Sequence, residues 1–221
     1  MYDTLIQNIA VNALPVVFAI TLHEAAHGYV ARMRGDNTAY MMGRVSLNPA
    51  RHIDPIGTIV MPLVLYFLTN GAFLFGYAKP VPINFGALKN PRWDSLLVSI
   101  AGPACNFVQA IIWGVVLIGL QALGIDEPFF SRMASAGIGV NLVLCALNLF
   151  PLPPLDGGRV LASLLPPKQS YALSRVEPYG FFIVMILVTT GVFATFWLRP
   201  LTQFGFQIIG SLLNPLIALI S

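Results

Sequence analysis

Two histidines and a glutamate stand within five residues of one another in "HEAAH", near the end of the first long apolar run. On a helix, His23 and His27 lie one above the other on the same face, close enough to share one cation through their imidazole nitrogens. Glu24 lies on the adjoining face. In the H-E-x-x-H pattern the histidines bind zinc, and the glutamate is the general base that activates a metal-bound water.

The same short pattern also arises by chance, with His and Glu as ordinary polar residues of a helix surface. The setting favours the metal interpretation, because ionisable groups inside a membrane helix are costly and by default mark functional sites. Two protein ligands are too few for a catalytic zinc, which usually has three and an open position for water. The pattern therefore requires a third ligand from elsewhere in the chain.

The helices that must position these residues are indicated by the composition. The chain has 221 residues, of which 57% are hydrophobic and 10% charged, whereas soluble domains have about 25% charged residues. Apolar runs that approach or exceed the roughly 20 residues of a membrane-crossing helix occur at residues 5–33, 96–123, 134–150 and 180–198, with a weaker one at 201–220. We therefore expect an all-α polytopic membrane protein with about five transmembrane helices in a single domain, residues 1–221.

Other features of the composition add little. The first apolar run has no basic region before it, so we expect this helix to be retained rather than cleaved as a signal peptide. Cys105 and Cys145 fall inside apolar runs without metal-type spacing, which is typical of small buried residues. Basic loops at the surface of a lipid bilayer explain the net charge of +3, and a nucleic-acid partner is not indicated. Nothing in the sequence indicates an oligomeric state.

A second polar group follows the third apolar run, in "NLFPLPPLDGGR" at residues 148–159. One interpretation is a plain exit turn, since Pro and Gly punctuate helix ends. Asp156 is nevertheless the best carboxylate available as a third ligand. The other acidic residues all lie at or near the ends of segments.

Three motifs, "HEAAH", "AGPACN" (101–106) and "NLFPLPPLDGG" (148–158), occur in this order. With them the chain resembles the site-2 protease family of intramembrane zinc metalloproteases, in its compact form without a PDZ-like domain. The resemblance implies one Zn²⁺ held by His23, His27 and Asp156, with Glu24 as the catalytic base. It also implies cleavage within transmembrane protein or peptide substrates, to release a regulator or to clear signal-peptide remnants, in a bacterial or archaeal cytoplasmic membrane.

The three-ligand site restricts the topology. His23 and His27 lie towards the end of the first helix, so Asp156, after the third apolar run, must emerge on the same side of the membrane. If the interrupted apolar segment at residues 56–75 crossed, Asp156 would emerge on the opposite side. We therefore predict that this segment re-enters without crossing. Basic residues on both of its flanks indicate that the N-terminus is outside and the active site near the cytoplasmic face.

A substrate cut within the membrane must be held in an extended conformation, which an added β-strand would achieve. In "FGYAKPVPINFG" (75–86), Pro80 and Pro82 remove donors from one edge, while Lys79, Val81 and Ile83 keep theirs on the other. This pattern predicts a short membrane-associated β-hairpin or strand. A Pro-rich turn without a partner is the alternative.

Four further polar residues have open roles. The oxyanion that develops during hydrolysis needs a donor. Asn106 is the first candidate for that role or for substrate alignment, and Asn148 is the second. Either could instead make a helix–helix hydrogen bond. His52 and Asp54 could orient a metal ligand, bind a second metal or cap the re-entrant segment, and capping is favoured because Asp before Pro favours turns.

The alternative function is a membrane transporter or metal-binding protein that uses the same polar residues as an ion path. Glu24 separates the two, because a transporter has no special need for a base one residue after a ligand. An inactive relative of a protease is disfavoured, since no motif position is missing.

Overall fold

The computed structural model describes residues 2–60, 64 and 79–220. This part of the chain is predominantly helical, as predicted. Its α-helices are α1 (Tyr2–Met33), α2 (Thr38–Met41), α3 (Pro91–Ala122), α4 (Pro128–Asn148), α5 (Asp156–Leu164), α6 (Pro167–Ser174), α7 (Glu177–Thr189) and α8 (Arg199–Ile220). Short 3-10 helices occur at Pro49–Arg51 and Phe85–Ala87, and π-helical turns at Pro55–Val60 and Ala194–Leu198.

Several helices are long and apolar enough to cross a membrane. Among the described residues there are four such spans: Ile6–Met33, Pro91–Ala122, Pro128–Asn148 and Ala194–Ala218. The number rises to five if α6 and α7, which are bent by 66° relative to each other, form one broken span. The chain is therefore a multi-pass membrane protein, with its first three spans where the apolar runs predict them.

The span predicted at residues 180–198 is not one helix. Helix α7 ends at Thr189, and Gly191 then adopts φ +74, in the left-handed region that glycine enters without steric cost. Helical structure resumes close to Ala194, and the candidate span Ala194–Ala218 contains most of the weaker apolar run predicted at 201–220. The break lies at Gly191, and a single glycine lowers the hydropathy of the run too little to reveal it.

Helices α1, α3 and α4 form a bundle in which each helix contacts the other two. Helix α8 packs against α3 and α4 through a buried apolar cluster: Ala110, Ile138, Leu142, Ile209 and Leu213. In contrast, the interior between α1, α3 and α4 contains polar side chains. The side chains of the predicted metal site therefore lie among α1 and α3, which carry the first two motifs, and α4, which leads into the third.

The chain after α1 and the chain before α3 lie side by side at one end of the bundle. Lys89 N–H donates to Arg34 O at 3.0 Å, and Lys79 N–H donates to His52 O at 2.9 Å. The intervening segment therefore begins and ends on the same side, as a re-entrant element requires. The predicted element at 56–75 lies largely outside the described residues, which include its start in the turn Pro55–Val60 and residue 64. Its path stays a prediction.

Residues 79–84 form no β-strand, and no other described residue does so. Three N–H groups of this segment have partners of a different kind: Val81 N–H donates to Glu24 Oε2 at 2.8 Å, Asn84 N–H to Asp36 Oδ2 at 2.7 Å, and Lys79 N–H to His52 O. Arg44 further donates to Lys79 O at 2.8 Å. The predicted hairpin or strand is not found here, because side chains and a loop already bond three of the N–H groups that a neighbouring strand would need. Residues 75–78 of the predicted strand lie outside the described part.

Candidate metal centre

The side chains of His23, His27 and Asp156 meet at the end of the bundle where α5 begins. The two histidine Nε2 atoms are 3.0 Å apart, and each is 3.2 Å from Asp156 Oδ2. Both imidazoles are buried, and the Asp156 side chain is 17% exposed. Within the described part of the chain, this is the only group of three potential ligands from His, Cys, Asp and Glu.

The opposite nitrogen of each imidazole is fixed by a hydrogen bond. His27 Nδ1 lies 2.7 Å from Val98 O, and a carbonyl oxygen only accepts, so Nδ1 carries the proton. His23 Nδ1 lies 2.6 Å from Asn106 Oδ1 and donates to it in the same way. These bonds assign both protons to Nδ1. The unprotonated Nε2 atoms therefore point their lone pairs towards Asp156.

When both imidazoles are neutral, three acceptors thus converge with no proton between them. Among the described residues, none donates a hydrogen bond to the buried Asp156 Oδ2. Its proximity to the histidines would be an ion pair only if an imidazole gained a second proton. Tetrahedral zinc with bonds of about 2.0–2.1 Å places its ligand atoms about 3.3–3.4 Å apart. The distances of 3.0 and 3.2 Å are within a few tenths of that value. These residues fit a zinc ion and leave its fourth position open.

Asp156 reaches the histidines because two glycines follow it. A Cβ on Gly157 would lie 2.2 Å from Leu149 O, and a Cβ on Gly158 would lie 2.2 Å from Pro153 N. Both distances are impossible for any other residue unless the backbone moves. The glycines therefore let α5 fold back tightly against the chain that leaves α4. This places the first residue of α5 opposite α1.

Helix α3 approaches the histidines through Gly102 of the "AGPACN" motif. A Cβ at this position would lie 2.3 Å from His27 Nε2 and 2.6 Å from His23 Nε2. Gly102 thus leaves open the space in front of the two ligand nitrogens. The second motif supplies a floor to the metal centre in addition to the Asn106 bond.

A cavity of about 180 Å³ adjoins the three ligands. Glu24 lines this cavity, and its Oε2 accepts the hydrogen bond from Val81 N–H. Residues 79–84 therefore hold the carboxylate of Glu24 at the same space that the ligands face. A base and a potential metal ion beside one cavity can together activate a water molecule.

The family model of Peptidase family M50 matches residues 11–138, more than half of the chain. The chain belongs to this family. M50 is the site-2 protease family, so the identification made from the three motifs is confirmed, and with it the class of zinc metalloprotease. The transporter alternative is not favoured.

Proteins similar to this chain include two from bacteria and one from Methanocaldococcus jannaschii. Two bear the name "Putative zinc metalloprotease". YwhC of Bacillus subtilis is 38% identical over 87% of this chain and 85% of its own length. Rip2 of Mycolicibacterium smegmatis is 30% identical over 79% of this chain and 64% of its own length. Zinc metalloprotease MJ0392 of Methanocaldococcus jannaschii is 27% identical over 71% of this chain and 34% of its own length. The chain thus spans less than two thirds of the length of Rip2 and about a third of MJ0392. No solved structure matches it.

The two asparagines proposed as oxyanion donors have different positions in this M50 peptidase. Asn148 lines the cavity, and among the described residues its Nδ2 makes one bond, to Leu144 O at 3.1 Å. Asn106 is fully buried behind His23, and its Nδ2 donates to Ala19 O at 3.1 Å and to Asn141 Oδ1 at 2.9 Å. Both amide hydrogens of Asn106 are thus in use. Asn148 is therefore the better placed of the two to meet a substrate.

Sequence reasoning missed three contributors to the M50 site: Val98, Gly102 and Asn141. Asn141 had a usable signal, because an amide in the middle of an apolar helix usually bonds to another helix. Gly102 could have been suspected from its place in the second motif. Val98 contributes only its carbonyl oxygen, which no residue type reveals.

His52 and Asp54 do not line the M50 cavity. His52 is buried, and its Nε2 donates to Ser46 O at 2.8 Å. Asp54 Oδ1 accepts the N–H groups of Ile56 at 3.0 Å and Gly57 at 2.8 Å, which caps the turn Pro55–Val60. Among the described residues no second group of metal ligands includes either side chain. The capping role is therefore favoured over a second metal.

Proposed function

We propose that this M50 peptidase is an intramembrane zinc endopeptidase, which hydrolyses peptide bonds in or near the transmembrane segments of membrane proteins. The observation that carries the proposal is the cavity in which Glu24 stands beside three convergent acceptors. This cavity lies at one end of a bundle of membrane-spanning helices. A site so placed is suited to substrates that are themselves held in the bilayer.

A single zinc ion per chain, held by His23, His27 and Asp156, would supply a Lewis acid that polarises the scissile carbonyl and lowers the pKa of a water. Glu24 would accept the proton of that water and pass it to the leaving amine. The bond from Val81 N–H to Oε2 fixes the carboxylate and leaves its other oxygen for the proton. The reaction needs no covalent intermediate with the protein.

A transmembrane helix hides its peptide bonds in its own hydrogen bonds, so the scissile region must become extended before it enters this cavity. Pro80, Val81 and Ile83 line the wall of the cavity and would lie along such a chain. Asn148 lines the same space and has a second amide hydrogen, which would donate to the developing oxyanion.

The charges support a site near the cytoplasmic face of the cell membrane, with the N-terminus outside. Arginines and lysines are frequent at the end of the bundle that holds the site, whereas Asp126 and Glu127 lie in the loop between α3 and α4 at the other end. Cytoplasmic loops carry the excess of basic residues. In this orientation the enzyme would release cytoplasmic regulators from the membrane or clear signal-peptide remnants.

Glu24→Gln tests the proposal. The protein and its variant are reconstituted in liposomes with single-span peptides that contain helix-breaking residues, and the products are identified by mass spectrometry. Glutamine cannot accept the proton, so we expect cleavage to fall by at least about 100-fold, with zinc content unchanged. Glu127→Gln, in an exposed loop, is the matched control and should remain active. Cleavage by Glu24→Gln at the wild-type rate would contradict the role of Glu24.

A further inference from the structure

Two asparagines form a buried chain of hydrogen bonds behind the metal centre. Asn106 on α3 and Asn141 on α4 are both 0% exposed. His23 Nδ1 donates to Asn106 Oδ1 at 2.6 Å, Asn106 Nδ2 donates to Asn141 Oδ1 at 2.9 Å, and Asn141 Nδ2 donates to Gly137 O at 2.9 Å. The chain thus connects a predicted zinc ligand on α1 to the backbone of α4.

Two backbone carbonyls fix the direction of every bond in this chain. Gly137 O only accepts, so it must face Asn141 Nδ2, and Asn141 Oδ1 must then face Asn106. Ala19 O also only accepts, at 3.1 Å from Asn106 Nδ2. Both constraints turn Asn106 Oδ1 towards His23. An inverted Asn106 amide would place its oxygen against two other acceptors.

The two histidines are therefore oriented by different means. His27 donates to a main-chain carbonyl, Val98 O, which no side-chain substitution removes. His23 depends on a side chain, Asn106, which in turn is held by Asn141. A partner on the second imidazole nitrogen fixes the tautomer and the ring orientation of a metal ligand, and its loss typically costs 10–100-fold in metal affinity.

We propose that Asn106 is a positioning residue for the metal ligand His23, and that Asn141 holds Asn106 in the required orientation. Zinc affinity then depends on two side chains that never touch the metal. The inference rests on the metal site of the proposed function and not on proteolysis. It gives Asn106 a role other than that of an oxyanion donor, since both of its amide hydrogens are already bonded.

The test is zinc affinity, measured by competition with a chelator on purified protein without any substrate. Asn106→Leu removes the acceptor and should weaken zinc binding by about 10–100-fold. Asn106→Asp keeps an acceptor for His23 and should stay within about threefold of wild type. It should nevertheless lower the thermal stability, because its second oxygen faces Ala19 O and Asn141 Oδ1.

Asn141→Ala should have an intermediate effect, about fivefold weaker binding, because one net hydrogen bond is lost while Ala19 O still orients Asn106. Asn12→Leu is the matched control, since Asn12 lies exposed on α1 and donates to Asn8 O of its own helix. It should bind zinc as the wild type does.

If Asn106 only joins helices and does not orient His23, Asn106→Leu and Asn106→Asp should both lower stability and leave zinc affinity unchanged. That result would overturn the proposal, as would equally weak binding by both variants. If the variants fail to fold, ¹⁵N NMR of the metal-free wild type decides. We expect His23 to carry its proton on Nδ1, and a proton on Nε2 would overturn the inference. A protein that binds zinc as expected but cleaves no substrate would contradict the proposed function of Glu24, and it would leave the role of Asn106 and Asn141 standing.

Discussion

Replacing Gly102 by alanine should abolish zinc binding while leaving the helix itself intact. The added Cβ would lie 2.3 Å from His27 Nε2, 2.6 Å from His23 Nε2 and 2.5 Å from His23 Cε1. Real Cβ atoms essentially never approach other atoms closer than 3.0 Å. The methyl group would thus enter the space that faces the two ligand nitrogens.

The size of the effect follows from these distances. Moving from 2.3 Å to 3.0 Å requires a displacement of about 0.7 Å between Gly102 and His27, whereas zinc–ligand distances tolerate only about 0.2 Å. Each imidazole is also held from behind, by Val98 O or Asn106 Oδ1, and so cannot simply withdraw. We expect a loss of zinc affinity of more than about 100-fold, beyond that of losing a hydrogen-bonded partner of a ligand. Overpacking should cost a further ~1–3 kcal/mol of folding stability.

The assay measures zinc per chain after dialysis, together with the thermal unfolding temperature in detergent. Gly119→Ala is the matched control, because it lies on the same helix and its Cβ would meet nothing within 4 Å. The control should keep its zinc. If Gly102→Ala also bound zinc at the wild-type level, α3 would not form the floor of the site, and the arrangement of α1 against α3 would be wrong.

Three other changes should have measurable effects. Gly157→Ala should lower the zinc content, because the added Cβ would lie 2.2 Å from Leu149 O and the start of α5 would have to shift, which moves Asp156 away from the histidines. A zinc content equal to that of the wild type would contradict this. Removing zinc with a chelator should lower the unfolding temperature, by an amount that grows with the zinc affinity, and an unchanged temperature would indicate no bound metal. Burial alone would raise the pKa of Asp36, but hydrogen bonds from Thr38 and Asn84 outweigh it and hold the pKa below its usual value. The Asp36 carboxylate therefore stabilises the fold above pH ~4, the pKa of the unfolded chain, and this stabilisation is lost as the pH falls through the lower pKa of the folded protein. Asp36→Asn should unfold at a lower temperature than the wild type at pH 7, and the difference between the two should be smaller at pH 3. A difference in unfolding temperature that does not depend on pH would refute this.

The parts of the site that lie on one helix could be predicted from the sequence. The spacing of His23 and His27 places them on one face, and their membrane setting favoured a metal. Asp156 is more than 100 residues away in the chain, and only the order of the three motifs pointed to it. Its approach depends on the close packing of Gly157 and Gly158, which spacing alone does not reveal.

Other features depend on tertiary contacts that the sequence pattern does not contain. Alternating prolines suggested a strand at residues 79–84, but Glu24, Asp36 and His52 bond three of its N–H groups. Hydropathy joined residues 180–198 into one span, although Gly191 interrupts it. His23 Nδ1 is bonded by an amide on α3, which in turn is bonded by an amide on α4. Helix pairing must be known before these bonds can be foreseen.

The most direct test of the central claim is the zinc content of the purified wild type and of the variants His23→Ala and Asp156→Ala. Asp126→Ala, an exposed carboxylate in the loop between α3 and α4, is the control. We predict about one zinc per chain in the wild type and the control, and none in the two ligand variants. Zinc retained by Asp156→Ala would contradict the three-residue metal centre, and with it the proposed hydrolytic mechanism.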